Sequence, residues 1–217
     1  MMILIFAMFG TATPALLAFP EERPVFLRES STNHYSVMSY FVSRLTMEAF
    51  VTALQSLVQV TVTYFLVCFQ ANFLMYYLNV YVLAMTSTAL AVMFGCAVED
   101  PKIAQEMLPI LFVPQMLFAG FFVVPDLIPV WLRWARYACP LTYSVRIGLV
   151  DELNDDGCGD DVNDNDGEAN DNCENLLATI DADPDETWWN WLILLGLFIF
   201  FRLLALYILR QKANKFF

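Results

Sequence analysis

The chain is predicted to be an all-α, polytopic transmembrane helix bundle of five spans, and three observations predict it. The fifty residues 49–98 contain no Asp, Glu, Lys or Arg, whereas about 20 apolar residues suffice to cross a bilayer as a helix. Three further runs are long enough to span, 1–19, 107–125 and 188–209, the last interrupted only by Arg202. Hydrophobic residues make up 59% of the chain, above the roughly 45–50% of soluble domains. The runs are continuous rather than alternating, so their backbone is satisfied within helices and not in a closed barrel.

The spans fall at 3–19, 47–69, 73–97, 104–123 and 188–209. The first could be a secretory signal. It lacks the positive start of one and runs into Pro20-Glu21-Glu22-Arg23 without a small-residue cleavage site, so it is read as a span. Pro20 and Pro24 are expected to end that helix, since proline removes a donor and crowds the preceding turn. Residues 20–46 then form a hairpin mixing Val25, Phe26, Leu27 and Phe41 with charges. An interfacial helix between two spans and a docking helix for a partner both fit that pattern. The charge-free stretch is two crossings with a turn at Gln70-Ala71-Asn72. In the fourth span, Pro109 and Pro114 predict a kink.

Residues 124–150 are too apolar for a solvated loop and too charged to span. Trp131, Trp134, Tyr137 and Tyr143 suit a membrane interface, which predicts a re-entrant helical hairpin broken at Pro140. Residues 151–187 form an acidic loop ending where Trp188, Trp189 and Trp191 re-enter the membrane. Fifteen of the 23 acidic residues lie between Asp151 and Glu186, with no Lys or Arg among them. The net charge of −12 is therefore a property of one loop, and the rest of the chain is slightly basic. A nucleic-acid footprint is absent.

Positive residues mark cytosolic span ends. Arg23, Arg28 and Arg44, then Lys102, then Arg210, Lys212 and Lys215 all fall on one side by parity. The C-terminus is thus predicted cytosolic, the acidic loop extracellular and Met1 outside, an arrangement that calls for at least one span upstream of this sequence. Asp161–Gly167 fails the EF-hand calcium pattern, because Val162 and Cys173 fall where carboxylates are needed; self-repelling disorder is the default. Cys158 and Cys173 share the outer loop, where disulfides persist; a bond within the loop and a bond between two chains both remain open. Cys68, Cys96 and Cys139 read as small packing residues.

Catalytic machinery is not legible. There is no P-loop, no GxSxG and no HExxH, and His34 is the lone histidine, so the chain alone is not read as an enzyme, and no metal site is expected. Gln55, Gln59, Gln115, Asn79 and Arg202 are scattered polar groups within spans. Glu48 and Glu106 lie near span ends with access to water, and Arg202 is expected to snorkel outward.

The order of short motifs is more specific than any one of them. Glu22-Arg-Pro-Val-Phe-Leu-Arg-Glu29 precedes Tyr35-Ser-Val-Met-Ser-Tyr-Phe41 and Glu48. Leu117-Phe-Ala-Gly-Phe-Phe-Val123, Ile128-Pro-Val-Trp-Leu-Arg-Trp134, Tyr137 and Pro140-Leu-Thr-Tyr143 follow in turn. This order resembles the membrane domain of the G subfamily (White/pleiotropic-drug-resistance type) of ATP-binding cassette transporters, of ABC-2 type. The resemblance covers nearly all of 1–217 apart from the acidic loop, and matches the family's spans two to six. It implies a single transmembrane domain. Within it, 20–46 carries a coupling helix touching an ATPase domain through Glu22, Arg23, Arg28, Glu29 and Tyr35, and 124–150 is the outer re-entrant hairpin. It implies a substrate cavity near Met8, Phe9, Val113 and Met116 between two paired domains, and an outer plug at Phe121 and Phe122, where some members carry Leu-Leu. The family's outer-loop disulfide falls on Cys158 and Cys173. ATP and magnesium would be bound by a nucleotide-binding domain absent from this chain. The resulting expectation is an exporter of amphipathic, lipid-like or xenobiotic substrates in the plasma membrane, working as a homo- or heterodimer. The rival from another class is a membrane receptor or adhesion protein whose acidic loop binds cations or partners.

Overall fold

A computed structural model of the chain describes residues 2–31, 37–67, 72–98, 100–119, 137–154 and 187–215. These residues form six helices and no strand: α1 Met2–Ser31, α2 Val37–Val67, α3 Phe73–Ala97, α4 Pro101–Phe118, α5 Pro140–Asn154 and α6 Thr187–Lys215. Three stretches are long and apolar enough to cross a membrane, Met38–Val67, Phe73–Ala97 and Thr187–Gln211; Met2–Ala18 is a shorter apolar stretch. The fourth expected span corresponds to α4, only 18 residues long, in which Lys102, Gln105 and Glu106 dilute the apolar run.

α3 is the centre of the bundle. In its spanning window 72% of residues are buried, against 17% in α2 and 28% in α6. Its sequence explains why it can be enclosed on all sides. Ala84, Thr86, Ser87, Thr88, Ala89, Ala91, Gly95 and Cys96 are all buried, and small side chains let neighbouring backbones approach where lipid gives no hydrophobic drive to associate. Its hydroxyls are satisfied by their own helix: Thr86 donates to the Val82 carbonyl at 2.8 Å and Ser87 to the Leu83 carbonyl at 2.6 Å. α3 begins at an Asn72 cap, whose Oδ1 accepts from the Leu74 N–H at 3.4 Å. That start is consistent with the turn expected just before it.

Around α3, α1 and α4 join through Met8, Leu16, Leu108 and Phe112, with the Phe9 and Phe112 rings 5.2 Å apart. α6 seals the opposite flank through Ala205 and Leu209 against Val92 and Cys96. α5 is clamped to α3 by a reciprocal pair. Asn79 Nδ2 donates to the Ser144 carbonyl at 2.9 Å, and Ser144 Oγ donates back to Asn79 Oδ1 at 2.8 Å. Outward, α2 exposes Phe50, Leu54, Val58, Phe65 and Leu66, and α6 exposes Ile199, Phe200 and Leu203. Such continuous apolar surface marks contact with lipid or protein rather than water.

The prolines of α1 correct the sequence expectation. The helix does not end at Pro20 or Pro24 but continues to Ser31, so 20–46 contains the end of α1 and the start of α2. Proline's fixed φ is compatible with a helix; what it removes is an N–H from the carbonyl four residues earlier. In membranes that loss is tolerated when a neighbour compensates. Pro14 leaves the Gly10 carbonyl without its intrahelical donor, and Gln55 of α2 supplies one at 3.2 Å. Pro20 does the same to the Leu16 carbonyl, which packs against Gly95 of α3 so closely that a Cβ there would lie 2.8 Å from the oxygen. The break expected at Pro140 is there: the chain turns at 138–139 and Pro140 opens α5, as suits proline at a first helical position. Residues 124–136 of the expected re-entrant hairpin lie outside the described residues.

Gly95→Ala should therefore lower the thermal midpoint of the purified protein, by about 1–3 kcal/mol of overpacking. Gly196 has nothing within 4 Å of the corresponding position, so Gly196→Ala should be neutral or stabilising by up to about 1 kcal/mol. Equal effects at both sites would refute the backbone contact.

Candidate functional site

A charged and polar cluster forms where α2, α3 and α6 meet. Arg202 does not reach outward to solvent: it and Glu48 face each other across the bundle. Arg202 Nη2 donates to Glu48 Oε1 at 2.6 Å and Nη1 to Oε2 at 3.0 Å, with side chains 6% and 11% exposed. Nη2 also reaches Thr88 Oγ1 at 3.4 Å, and the Phe198 ring lies 5.6 Å from the guanidinium carbon. The two-pronged geometry suits arginine, whose planar fork matches a carboxylate. Desolvating either charge alone costs several kcal/mol, so each is tolerated because the other is present. Arg202 Nε finds no acceptor among the described residues.

The links from α2 to its neighbours follow one pattern. Gln55 and Gln59, one turn apart, donate to the Gly10 and Ile3 carbonyls of α1 at 3.2 and 3.0 Å. Tyr77 and Tyr81, also one turn apart, donate from α3 to the Ala53 and Ala49 carbonyls of α2 at 3.3 and 3.5 Å. As numbering rises along one helix the partner's falls, so α2 runs antiparallel to both. A cavity of about 270 Å³ opens beside these links, lined by α1, α2 and one residue of α3, with Glu48 and Thr88 in its wall.

The residues expected to line a substrate cavity are placed unevenly. Met8 is fully enclosed within the protomer. Phe9 and Met116 pack half-buried against the same core, and Val113 is exposed. Glu22, Arg23, Arg28 and Glu29 fall on the C-terminal half of α1. Tyr35, Phe121, Phe122, Cys158 and Cys173 lie outside the described residues. Cys96 and Cys139 are buried and outside any disulfide, as expected of packing residues. Among the described residues no group of three His, Cys, Asp or Glu could hold a metal ion. Sequence reasoning missed the Glu48–Arg202 pair, although part of a signal was there: an arginine in a span calls for a named partner, and Glu48 is one of the two acidic residues that border the charge-free stretch.

A family model described as an ABC-2 type transporter matches residues 1–153. The chain belongs to the ABC-2 type transporter family. Its relatives make the assignment narrower. It is 24% identical over 99% of its length to ABC transporter G family member 1 of Dictyostelium discoideum, and 25% identical over 95% to Protein white of Drosophila melanogaster. It is also 25% identical over 63% to ABC transporter ATP-binding protein/permease wht-1 of Caenorhabditis elegans. The chain covers 29%, 31% and 22% of these relatives' own lengths. This ABC-2 chain is thus a membrane domain of the type found in G-family transporters, which agrees with the resemblance read from the motif order.

In this ABC-2 domain, Glu48→Leu or Arg202→Met alone should destabilise by about 3–5 kcal/mol, while the double variant should recover most of that loss. Thermal unfolding in detergent across the four-member cycle measures it. Additive losses would show that the two side chains do not act as a pair.

Proposed function

We propose that this domain is the membrane-spanning part of an ATP-driven exporter of amphipathic, lipid-like or xenobiotic molecules. It works in the plasma membrane with its C-terminus cytosolic and its acidic loop extracellular. ATP and magnesium belong to a nucleotide-binding domain outside this chain, on the same polypeptide or a separate subunit. Two transmembrane domains pair, as a homo- or heterodimer, and enclose the cargo between them.

The observation that carries this reading, beyond the family assignment, is the outer surface of α4. Ile103, Met107, Ile110, Val113 and Leu117 are all exposed at spacings of three and four, one stripe of a helix. Beside it stands the Phe9–Phe112 pair that fastens α4 to α1. An apolar stripe on a proline-containing helix suits the wall of a shared cavity whose cargo is itself apolar. In this reading Phe9, Val113 and Met116 meet the cargo, with Met8 backing them. Phe121 and Phe122 plug the outer end, and Cys158 bonds to Cys173 beyond it.

The stroke enters through 20–46, at Glu22, Arg23, Arg28, Glu29 and Tyr35. Both α1 and α2 run into that segment, so a push on it moves the two helices together. The Glu48–Arg202 pair then carries the motion of α2 to α6 without slack.

The test is ATPase activity of the full-length protein in liposomes across a panel of amphipathic cargoes. Met116→Trp should abolish stimulation by bulky cargoes, and Phe9→Ala should weaken it several-fold. Unchanged stimulation in both variants would count against this cavity.

A further inference from the structure

We propose that the backbone carbonyl of Ile110, opened by Pro114, is a cargo-recognition group: it accepts a hydrogen bond from a hydroxyl or N–H of the transported molecule. This rests on the exposed stripe of α4 being a cavity wall, and it narrows the cargo to apolar molecules that carry a donor. Proline has no N–H, so each proline inside a helix leaves the carbonyl four residues earlier without its intrahelical donor. Pro109 and Pro114 lie inside α4 and so open the carbonyls of Gln105 and Ile110. Both prolines are exposed, and so are Gln105 and Ile110, the latter 67%. The open oxygens therefore lie on the outer face of α4. At Pro14 of α1 the missing donor is replaced, since Gln55 reaches the Gly10 carbonyl at 3.2 Å. No side chain among the described residues does the same for Gln105 or Ile110.

Depth separates the two carbonyls. Gln105 is one turn in from the start of α4, between Lys102 and Glu106 in sequence, within reach of water. Ile110 stands midway along this 18-residue helix, which at 1.5 Å per residue is about 27 Å long, close to the roughly 30 Å of a hydrocarbon core. An acceptor held open against lipid at that depth is strongly unfavourable, so this face turns to a cavity and not to lipid. A second copy of the domain does not supply the donor. Two copies in one membrane face each other at equal depth, and the exposed residues of α4 around Ile110 are Met107, Pro109, Val113, Pro114 and Leu117. On α1, which packs against α4 through Phe9 and Phe112, the exposed residues of the first four turns are Met2, Phe6, Gly10 and Pro14. None of these carries a side-chain donor. The remaining source is the cargo itself. A hydroxyl or N–H meets this oxygen in the middle of an otherwise apolar wall, whereas an ether, an ester or a hydrocarbon meets the wall alone.

The experiment uses the full-length protein in phosphatidylcholine liposomes and two diazirine photoprobes, a 4-alkylphenol and its methyl ether, with adducts mapped by mass spectrometry. The probes share their apolar surface and differ in one donor. At equal membrane concentration the phenol should label residues 103–117 about fivefold more strongly than the ether, the scale of one neutral hydrogen bond. Pro114→Ala and Pro114→Leu both restore the N–H that closes the Ile110 carbonyl. Each should remove the preference for the phenol while holding or raising the thermal midpoint. Pro109→Ala should leave the preference intact, because Gln105 lies at the hydrated end. Equal labelling of the wild-type protein by the two probes, or a preference that survives in both Pro114 variants, overturns the proposal. ATPase stimulation by the same probes is read in parallel. A labelling preference without any stimulation supports the Ile110 acceptor and counts against the exporter reading instead.

Discussion

The constraint on which the rest of the structure depends is that polar groups inside a bilayer must find their partners in protein. Water is absent there, so a charge or an open carbonyl is tolerated only if another helix meets it. In this domain the helices are registered by those meetings. Glu48 and Arg202 fix α2 to α6, Asn79 and Ser144 fix α3 to α5, and Gln55 and Gln59 fix α2 to α1. Apolar packing alone could slide by a turn at modest cost. A paired charge or a captured carbonyl cannot, because sliding would strand it.

The second ingredient is the small-residue surface of α3. Ala, Ser, Thr and Gly positions let α1 approach until the Leu16 carbonyl touches the Gly95 backbone. That contact and the prolines of α1 belong together. A proline opens a carbonyl on a chosen face, and the neighbour at that face carries either a donor, as at Gln55, or nothing, as at Gly95. The helix is shaped by what its neighbours provide rather than ended by its own sequence, which is why a rule about proline in isolated helices failed at Pro20 and Pro24.

What could be read from the sequence follows from the same physics. The apolar runs, the turn before Asn72 and the order of family motifs are local signals, visible because lipid demands length and composition in one piece. The Glu48–Arg202 pair is 154 residues apart, and nothing local distinguishes an arginine that snorkels from one that finds a carboxylate on another helix. Gln55 and Asn79 were visible as polar residues in spans, but their partners are backbone carbonyls and a serine that carry no sequence signature. Met8 was expected near an open cavity; its full enclosure depends on α4 closing over α1 through Phe112, a tertiary fact. The cavity beside Glu48 had no signal, since it is defined by the helices that fail to touch.

The separation of Glu48 from Arg202 along the chain bears on how the domain is made. α2 is synthesised long before α6, so Glu48 enters the membrane region before its counter-ion exists. Until α6 arrives, that carboxylate lacks the guanidinium that pairs with it in the folded domain, and α2 has no charged link to hold its register. Insertion of α6 is thus the step that locks α2 into the bundle, and a chain stopped short of Arg202 carries an uncompensated acid.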